Sequence, residues 1–541
     1  MNSKYKEIME ELWPKEKTRT LGDGEFNEEL KKNKVTSISL VDNNILKNGN
    51  QEKVAKMNYN HKILDRLSQL EPENNYPRDD NGLSKLFSDM YKDELRYNVT
   101  SRKWMFFDGK KWKEDLEGMY AASLAKELAT HLYKYSLEIS NQEKNKGYSE
   151  YVNKLGNFSK RETMIKDARD VNFMSNEDLD KDAFIFNCKN GTINLKTFEF
   201  KEHNPNDLLS KISNVVYDPQ ASSLLFEKFV NEIMIEDSDK INYLQKILGH
   251  SLTGHVMLET CFILYGATTR NGKSTLVETF AYMLGNNLGY SQNMRPETLA
   301  LKKNLDSRQA SGDIARLKGC RFLNASEPPK KMIFDVALLK TLLGRDTITA
   351  REIYQSDFEF VPVFKLFINT NFLPEVNNDT VFSSGRIKVI SFDRHFKLEE
   401  QDLTLKDKFR KPENISGIFN WCIEGLKKFN ETGAEPPKSV VEATNDYRNK
   451  SDKMSNFLSD CLESSSKNVK AKEVYDTYKK WCKVNDYGFE NKSDFFEELR
   501  TKNLFSTRGT VDGKTCYNVI YNMRLKEKWL SSLDDEQHEQ N

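Results

Sequence analysis

The sequence predicts an α/β protein built on a largely parallel sheet. An α+β module precedes the sheet, and a helical module ending in a hairpin follows it. Three observations carry this reading. Strand-length apolar runs recur at CFILYG (residues 261–266), CRFLNASE (320–327) and FKLFINTN (364–371), separated by helical sequence. Such runs alternating with helices mark a parallel sheet covered on both faces. The first run stops in a glycine-containing turn that opens a helix, and earlier segments alternate aromatic and charged residues around Asp-Gly and Asn-Gly, a hairpin signature.

Bulk properties bound the problem. A chain of 541 residues exceeds what one core can hold and predicts three or four domains. Lys plus Arg (82) equal Asp plus Glu (82), so a nucleic-acid surface must come from local clustering of cations. No apolar run approaches the roughly 20 residues of a membrane span. The first residues (MNSKYKEIMEELWPKEK) are charged and lack the apolar stretch of a secretory signal. Seven scattered cysteines form no CxxC pair, which argues against a zinc site or a disulfide framework and fits a reducing cytoplasm.

In chain order, residues 1–90 form a variable segment rich in Lys, Asn and Glu, loosely ordered over 14–60. Residues 91–221 form the α+β module, with RYNVTSRKWMFFDGKKWKED and FIFNCKNGTINLKTFEFKEH as its strand pairs. Residues 222–400 are the parallel-sheet core, entered through helical sequence with apolar positions three and four apart. Residues 401–454 form a helical lid or linker, 455–530 a module of helices and a hairpin, and 531–541 an acidic, frayed tail.

The strongest motif is Gly266-Ala267-Thr268-Thr269-Arg270-Asn271-Gly272-Lys273-Ser274-Thr275. A glycine-rich turn between a buried strand and a helix lets backbone N–H groups wrap a triphosphate such as ATP. Lys273 would reach the β- and γ-phosphates, and the Ser274 hydroxyl would bind Mg²⁺. Five residues separate the glycines where the general pattern has four; either Ala267 replaces the first glycine or the loop carries one extra residue. A carboxylate must complete the site. Glu327 supplies it at the end of the second apolar run, to polarise the water and help hold Mg²⁺; its neighbour is Ser326, so the usual acidic pair is reduced to one. The third run ends in Asn369-Thr370-Asn371, at the sheet edge where ligands bind in such folds. Asn371 would hold the γ-phosphate or the water. The competing readings are a surface Glu327 at a strand end and Asn371 as a turn former before Leu373-Pro374.

These elements in this order resemble the superfamily 3 helicases of small viruses and mobile elements. Within them the chain is most similar to the phage/plasmid primase–helicase family, which includes poxvirus and satellite-phage replication proteins, and there to the replication initiator-helicases of staphylococcal pathogenicity islands and cassette chromosomes. The resemblance covers about residues 95–525. It rests on WMFFDGKKW, FNCKNGTINLKT, LYGATTRNGKST, LLKTLLGRDTITAREIY and FKLFINTNFLP.

The resemblance implies an AAA+-like core, ring assembly, typically as hexamers, with ATP between subunits, and 3′-to-5′ movement on single-stranded DNA. The passage between the second and third strands would form a hairpin pointing into the central channel. Residues 347–354 and 358–360 would pair around Gln355-Ser356-Asp357. Lys340, Arg345 and Arg351 are its candidate contacts to the DNA backbone, which takes cations rather than base-reading groups; plain solvated charges are the alternative. Arg386 matches the family's arginine finger, with Lys388 the weaker candidate, since many relatives carry two adjacent basic residues there. The C-terminal module resembles a winged helix whose Lys492, Arg500, Arg508 and Lys514 would bind duplex DNA; a winged helix for subunit contacts is the alternative.

The leading expectation is therefore an ATP-dependent helicase and initiator that opens the replication origin of a mobile element, with a separate primase as a further partner and no membrane involved. A ring ATPase that remodels or packages DNA, a helicase fused to a primase, and a non-enzymatic origin-binding protein are the rival readings. Residues 1–90 show no catalytic acid cluster or zinc ligands for priming.

Overall fold

The computed structural model describes residues 62–139, 142–301, 312–351, 357–376, 380–485 and 488–529. The segment over 14–60, the acidic tail and the tip of the expected channel hairpin lie outside them.

The first unit closes around its own core. Strands β1 (Leu95–Asn98), β2 (Lys103–Phe107) and β3 (Trp112–Glu114) form an antiparallel sheet against helices Asp80–Tyr91, Met119–Glu138 and Phe158–Asp167. Asp108 makes the β2–β3 turn: its carboxylate accepts from the N–H groups of Lys110 and Lys111 (both 2.9 Å), and Gly109 takes φ +89. Ile63, Leu67, Leu83, Leu86, Phe87 and Met90 are buried in this core with Trp104 and Leu128. The packed unit thus reaches back into the stretch assigned to the variable segment. Their spacing of three and four residues explains it, since one helical face must be covered.

The second hairpin goes elsewhere. β4 (Ile185–Cys188), β5 (Gly191–Asn194) and β6 (Phe200–Lys201) form an antiparallel sheet. Its apolar residues Phe184, Phe186, Cys188 and Ile193 join the core of the parallel-sheet domain. Phe186 stacks between Tyr290 (4.8 Å) and Phe419 (4.9 Å).

The central sheet has five parallel strands: β7 (Cys261–Tyr265), β8 (Ser291–Met294), β9 (Phe322–Ser326), β12 (Lys365–Thr370) and β13 (Ile387–Ser391), in the order β13-β7-β12-β9-β8. Between β9 and β12 the chain makes a separate antiparallel pair, β10 (Ile348–Ala350) with β11 (Phe358–Phe360), in which Ile348 faces Phe360. The three apolar runs are β7, β9 and β12, the interior of the sheet. β8 and β13 are its edges and escaped the sequence reading. SQNM has no apolar run, and its Ser291 and Gln292 are buried although polar, so no apolar pattern marks the strand.

Helices Leu224–Ile233 and Ser238–His250 start at Ser223 and Asp237, whose side chains accept from Phe226 N and Lys240 N. Ser238–His250 packs on the long helix Pro412–Thr432 through glycines. A Cβ at Gly425 would lie 2.0 Å from Gln245 O, and one at Gly249 would lie 2.4 Å from Cys422 O. At the opposite edge of the sheet from the glycine loop, two buried cations hold the connecting backbone. Lys365 donates to Thr253 O (2.5 Å) and His255 O (3.2 Å), and Arg321 to Leu252 O (2.7 Å) and Ile185 O (2.8 Å).

The last unit comprises helices Lys453–Cys461, Ala471–Val484 and Lys492–Thr501. Strands β14 (Leu462–Ser464) and β18 (Met523–Leu525) pair, and β15 (Val469–Lys470) joins the hairpin β16 (Phe505–Val511) and β17 (Lys514–Ile520). The hairpin turns at Asp512-Gly513, both with positive φ (48° and 78°), as a two-residue I′ turn requires.

Gly425→Ala should destabilise the chain by about 1–3 kcal/mol, because the helices cannot part without opening the core. A fall in the thermal unfolding midpoint checks this; an unchanged midpoint would show that the two helices slide freely.

Candidate nucleotide site and nucleic-acid surfaces

β7 delivers the chain to Gly266, whose N–H donates to Thr370 O (3.2 Å). A Cβ at Gly266 would lie 2.0 Å from the Asn271 amide and 2.7 Å from Lys273 Nζ, so the steric demand for a first glycine falls here and not on Ala267. Arg270 (φ 60°) and Gly272 (φ 84°) are left-handed, and a Cβ at Gly272 would strike Ile233 Cγ2 at 2.4 Å. Three successive carbonyls are tied away from the loop's interior. Thr268 O accepts from Asn271 Nδ2 (2.7 Å), Thr269 O from His395 Nδ1 (2.8 Å) and Arg270 O from Phe396 N (2.9 Å). The first-turn amides of helix Lys273–Met283 have no intrahelical acceptor, so the loop offers N–H groups to an anion.

Lys273 is buried. Its ammonium donates to Asn271 Oδ1 (2.7 Å) and Asn371 Oδ1 (2.8 Å). Both acceptors are neutral, and burial pulls the ammonium down to about 8, against the opposing attraction of Glu327. A triphosphate would supply the missing counter-charge. Asn369 Nδ2 donates to Ser274 Oγ (3.2 Å). Asn369 and Asn371, two apart on β12 and its continuation, thus both engage the loop. Asn369 is the contributor that the sequence reading passed over; the Asn-x-Asn spacing was the available signal.

Glu327 follows β9 with φ 57°, a conformation costing on the order of 1–3 kcal/mol for a residue with a Cβ. Its N–H donates to Asn369 O (2.8 Å). It lines a cleft of about 190 Å³ with residues 269–275 and 369–371. Ser326 lies outside that cleft, its hydroxyl accepting from Asn324 Nδ2 (2.9 Å). Among the described residues no three His, Cys, Asp or Glu side chains cluster as metal ligands. Ser274 and Glu327 fit Mg²⁺ only as partners of a phosphate-bound ion, which keeps most of its oxygen ligands from elsewhere.

Beyond Gly272 the cleft continues into a second cavity of about 580 Å³, walled by Leu225, Phe229, Phe396 and Leu403 with Glu232, Gln401 and Asp402. Arg270 donates to Gln401 Oε1 (2.7 Å) across its mouth. An apolar chamber with polar rims beside a phosphate cleft suits a nucleoside. The segment after β13 that builds it carried no motif.

The remaining candidates lie apart. Arg386 precedes β13, at the opposite end of the sheet from the cleft, about 16 Å away at strand rise. It pairs with Glu259 (2.8 Å) and donates to Lys340 O (3.2 Å). The Lys340 ammonium donates to Thr380 Oγ1 (2.6 Å), beside Arg386 and away from the hairpin. Arg351 continues β10 and faces Asp357 (3.7 Å), while Arg345 is exposed before β10. In the last unit, Arg500 is engaged by Glu497 (2.7 Å) and lies over the Phe505 ring, and Lys492 lies over Phe496. Arg508 and Lys514 stand exposed on the β16–β17 hairpin, with Arg508 opposite the exposed Tyr517.

A five-stranded parallel sheet with this loop, carboxylate and amide at its C-terminal edge is consistent with a P-loop ATPase core. Three family models match successive parts of the chain: "D5 N terminal like" over residues 84–235, a family of unknown function (DUF5906) over 264–386, and "Poxvirus D5 protein-like" over 449–531. The chain is related to viral proteins named as helicases. It is 26% identical over 499 residues to "Putative helicase L207/L206" of Acanthamoeba polyphaga mimivirus, covering 84% of this chain and 51% of that protein. It is 23% identical over 419 residues to "Putative helicase 121R" of Invertebrate iridescent virus 3, covering 67% and 42%. The chain thus spans about half the length of the relatives it matches, or less. Among solved structures, the NrS-1 C terminal region aligns with TM-score 0.44 and 11% identity, over 81% of this chain and 99% of that one. No helix among the described residues is long and apolar enough to cross a membrane.

Lys273 sets a pH dependence. A bound triphosphate raises its pKa above the free value of about 8, so affinity is full below that value and is lost as pH rises through it. Titration of an ATP analogue between about pH 7.5 and 9.5 should show weakening that approaches tenfold per pH unit. Lys273→Arg, permanently charged, should flatten the curve; a flat wild-type curve would contradict the assignment.

Proposed function

We propose that this chain is an ATP-dependent DNA helicase of the superfamily 3 type, acting as a ring, typically a hexamer, in replication of a mobile genetic element. One observation carries the reading: Lys273, Ser274, Glu327, Asn369 and Asn371 converge on one cleft at the C-terminal edge of the parallel sheet. In this mechanism the loop amides and Lys273 neutralise the triphosphate. Asn371 accepts from Lys273 through Oδ1, which leaves its Nδ2 to donate to a γ-phosphate oxygen or to the attacking water. Glu327 orients that water and draws its proton. Mg²⁺, held with Ser274, would add charge neutralisation at the phosphates. The nucleoside would occupy the chamber beside Phe229 and Phe396.

Arg386 cannot reach its own subunit's cleft across the sheet, which supports a role on a neighbour's nucleotide. Its ion pair with Glu259 would then be exchanged for phosphate in the ring. The β10–β11 hairpin with Arg351, supported by Arg345, is the proposed contact to single-stranded DNA. The last unit, with its helix-strand-helix-helix-hairpin order, is read as a winged helix for duplex origin DNA. There Arg508 and Lys514 on the wing are better placed than Lys492 and Arg500, whose helix also exposes Asp494 and Glu497. Movement from 3′ to 5′, origin opening and recruitment of a separate primase complete the proposal.

The decisive experiment is ATP hydrolysis with and without single-stranded DNA. Wild type should be stimulated by DNA, and Lys273→Ala should lose about 10²–10³-fold in turnover. A wild type that hydrolyses nothing under either condition sinks the motor reading. Arg386→Ala should also lose turnover while retaining nucleotide binding. Mixing it with Lys273→Ala should restore part of the rate, since some interfaces then combine an intact loop with an intact arginine. Wild-type turnover by Arg386→Ala would remove the residue from the mechanism.

A further inference from the structure

Away from the nucleotide cleft, three partly buried lysines meet on the seam between the first unit and the ATPase core: Lys111, Lys211 and Lys318. Their placement is built. The buried Asn187 donates through Nδ2 to both Lys110 O and Lys211 O (2.9 Å each), which brings the β2–β3 turn beside Lys211. The Lys211 stem then crosses Gly319, where a Cβ would lie 2.7 Å from Lys211 Cε and where φ is +69°. The glycine after Lys318, free to take this left-handed conformation, leaves room for the Lys211 stem.

None of the three ammonium groups pairs with a carboxylate among the described residues. Lys111 Nζ reaches Leu288 O and Lys318 Nζ reaches Asn176 O, both at a long 3.4 Å. The acids nearby are engaged: Asp108 pairs with Lys113 (2.5 Å), and Asp180 accepts from Ser210 N (2.9 Å) and from its hydroxyl. Glu177 is the further acid in the field of Lys318. Burial holds both Lys111 and Lys318 below the ordinary ammonium range; Lys113 and Lys211 add to this at Lys111 against Asp108 and Asp180, and at Lys318 Glu177 and Asp180 oppose it while Lys211 adds to it. Lys318 Nζ also lies 5.7 Å over the ring of Phe358, in β11 of the channel hairpin.

We propose that Lys111, Lys211 and Lys318 hold the phosphate backbone of a single DNA strand where it meets the β10–β11 hairpin. The inference rests on the helicase reading and extends the strand's path from the hairpin onto the first unit. Converging cations without carboxylate partners call for a polyanion. The adjoining Phe358 ring, partly exposed beside Lys318 while Phe360 is buried in the core, favours a strand with unpaired bases, because every base has a face to stack.

The test is fluorescence anisotropy with a labelled oligodeoxythymidylate across a salt series. The Lys111→Ala/Lys211→Ala/Lys318→Ala variant should bind about ten- to a hundredfold more weakly near 0.1 M salt. Its log–log salt slope should be shallower by about 2, three contacts at roughly 0.7 each on single strands. The corresponding triple Arg variant should keep both affinity and slope. Wild-type affinity and slope in the triple Ala variant would overturn the inference. So would weaker binding with an unchanged slope, which marks damage to the fold instead of lost phosphate contacts. If the wild type itself binds no single strand, the helicase reading falls and this inference with it; if it binds and only the lysines prove irrelevant, that reading stands.

Discussion

Everything at the nucleotide site depends on the register of β12. This strand lies between β7 and β9, with Thr370 beside Tyr265 and Asn369 beside Ser326. Parallel pairing in that register lets Thr370 O take the N–H of Gly266 and Asn369 O take the N–H of Glu327. The loop and the carboxylate therefore depart from two strands held by a third, whose own end supplies Asn369 and Asn371. A slip by one residue would turn both amides to the other face of the sheet and take from Lys273 and Ser274 their partners on this strand.

Around that frame, side chains hold the loop open before any phosphate arrives. Asn271, His395 and the Phe396 amide each take one loop carbonyl. Ordering the loop in advance spares binding that entropic cost. The buried ammonium of Lys273, held by two amides instead of a carboxylate, is the part left incomplete. Its desolvation lowers its pKa and would make it a strong ligand for phosphate.

The two ends of the sheet have separate tasks. The C-terminal edge gathers the phosphate cleft and the adjoining chamber. The N-terminal edge carries Arg386, the root of the β10–β11 hairpin, and the buried cations Arg321 and Lys365, which clamp backbone carbonyls of residues 252–255 and of β4. β12 runs directly from Lys365, just past the hairpin, to the amides at the cleft. Its interior is packed by Phe262, Phe322 and Phe367 with ring separations of 4.8–5.0 Å.

The sequence by itself determined what local chemistry encodes. Continuous apolar runs specified the three interior strands, because an interior parallel strand must be apolar on both faces. Gly272, Lys273, Ser274 and Glu327 were readable as candidates from their residue types and order, whereas the place of the first glycine was left open by the one residue more than the general pattern. Only the tertiary structure decided what depends on residues distant in the chain. It recruited β8 and β13 as edges, whose short segments mix polar residues among the apolar ones and so form no continuous apolar run. It assigned residues 62–90 to the first core and β4–β6 to the ATPase core, since burial depends on which surface a face meets. It also put Asn369 on Ser274, His395 on Thr269, Lys340 beside Arg386, and Lys211 against Lys318, contacts that follow from strand register and domain packing and leave no trace in neighbouring sequence.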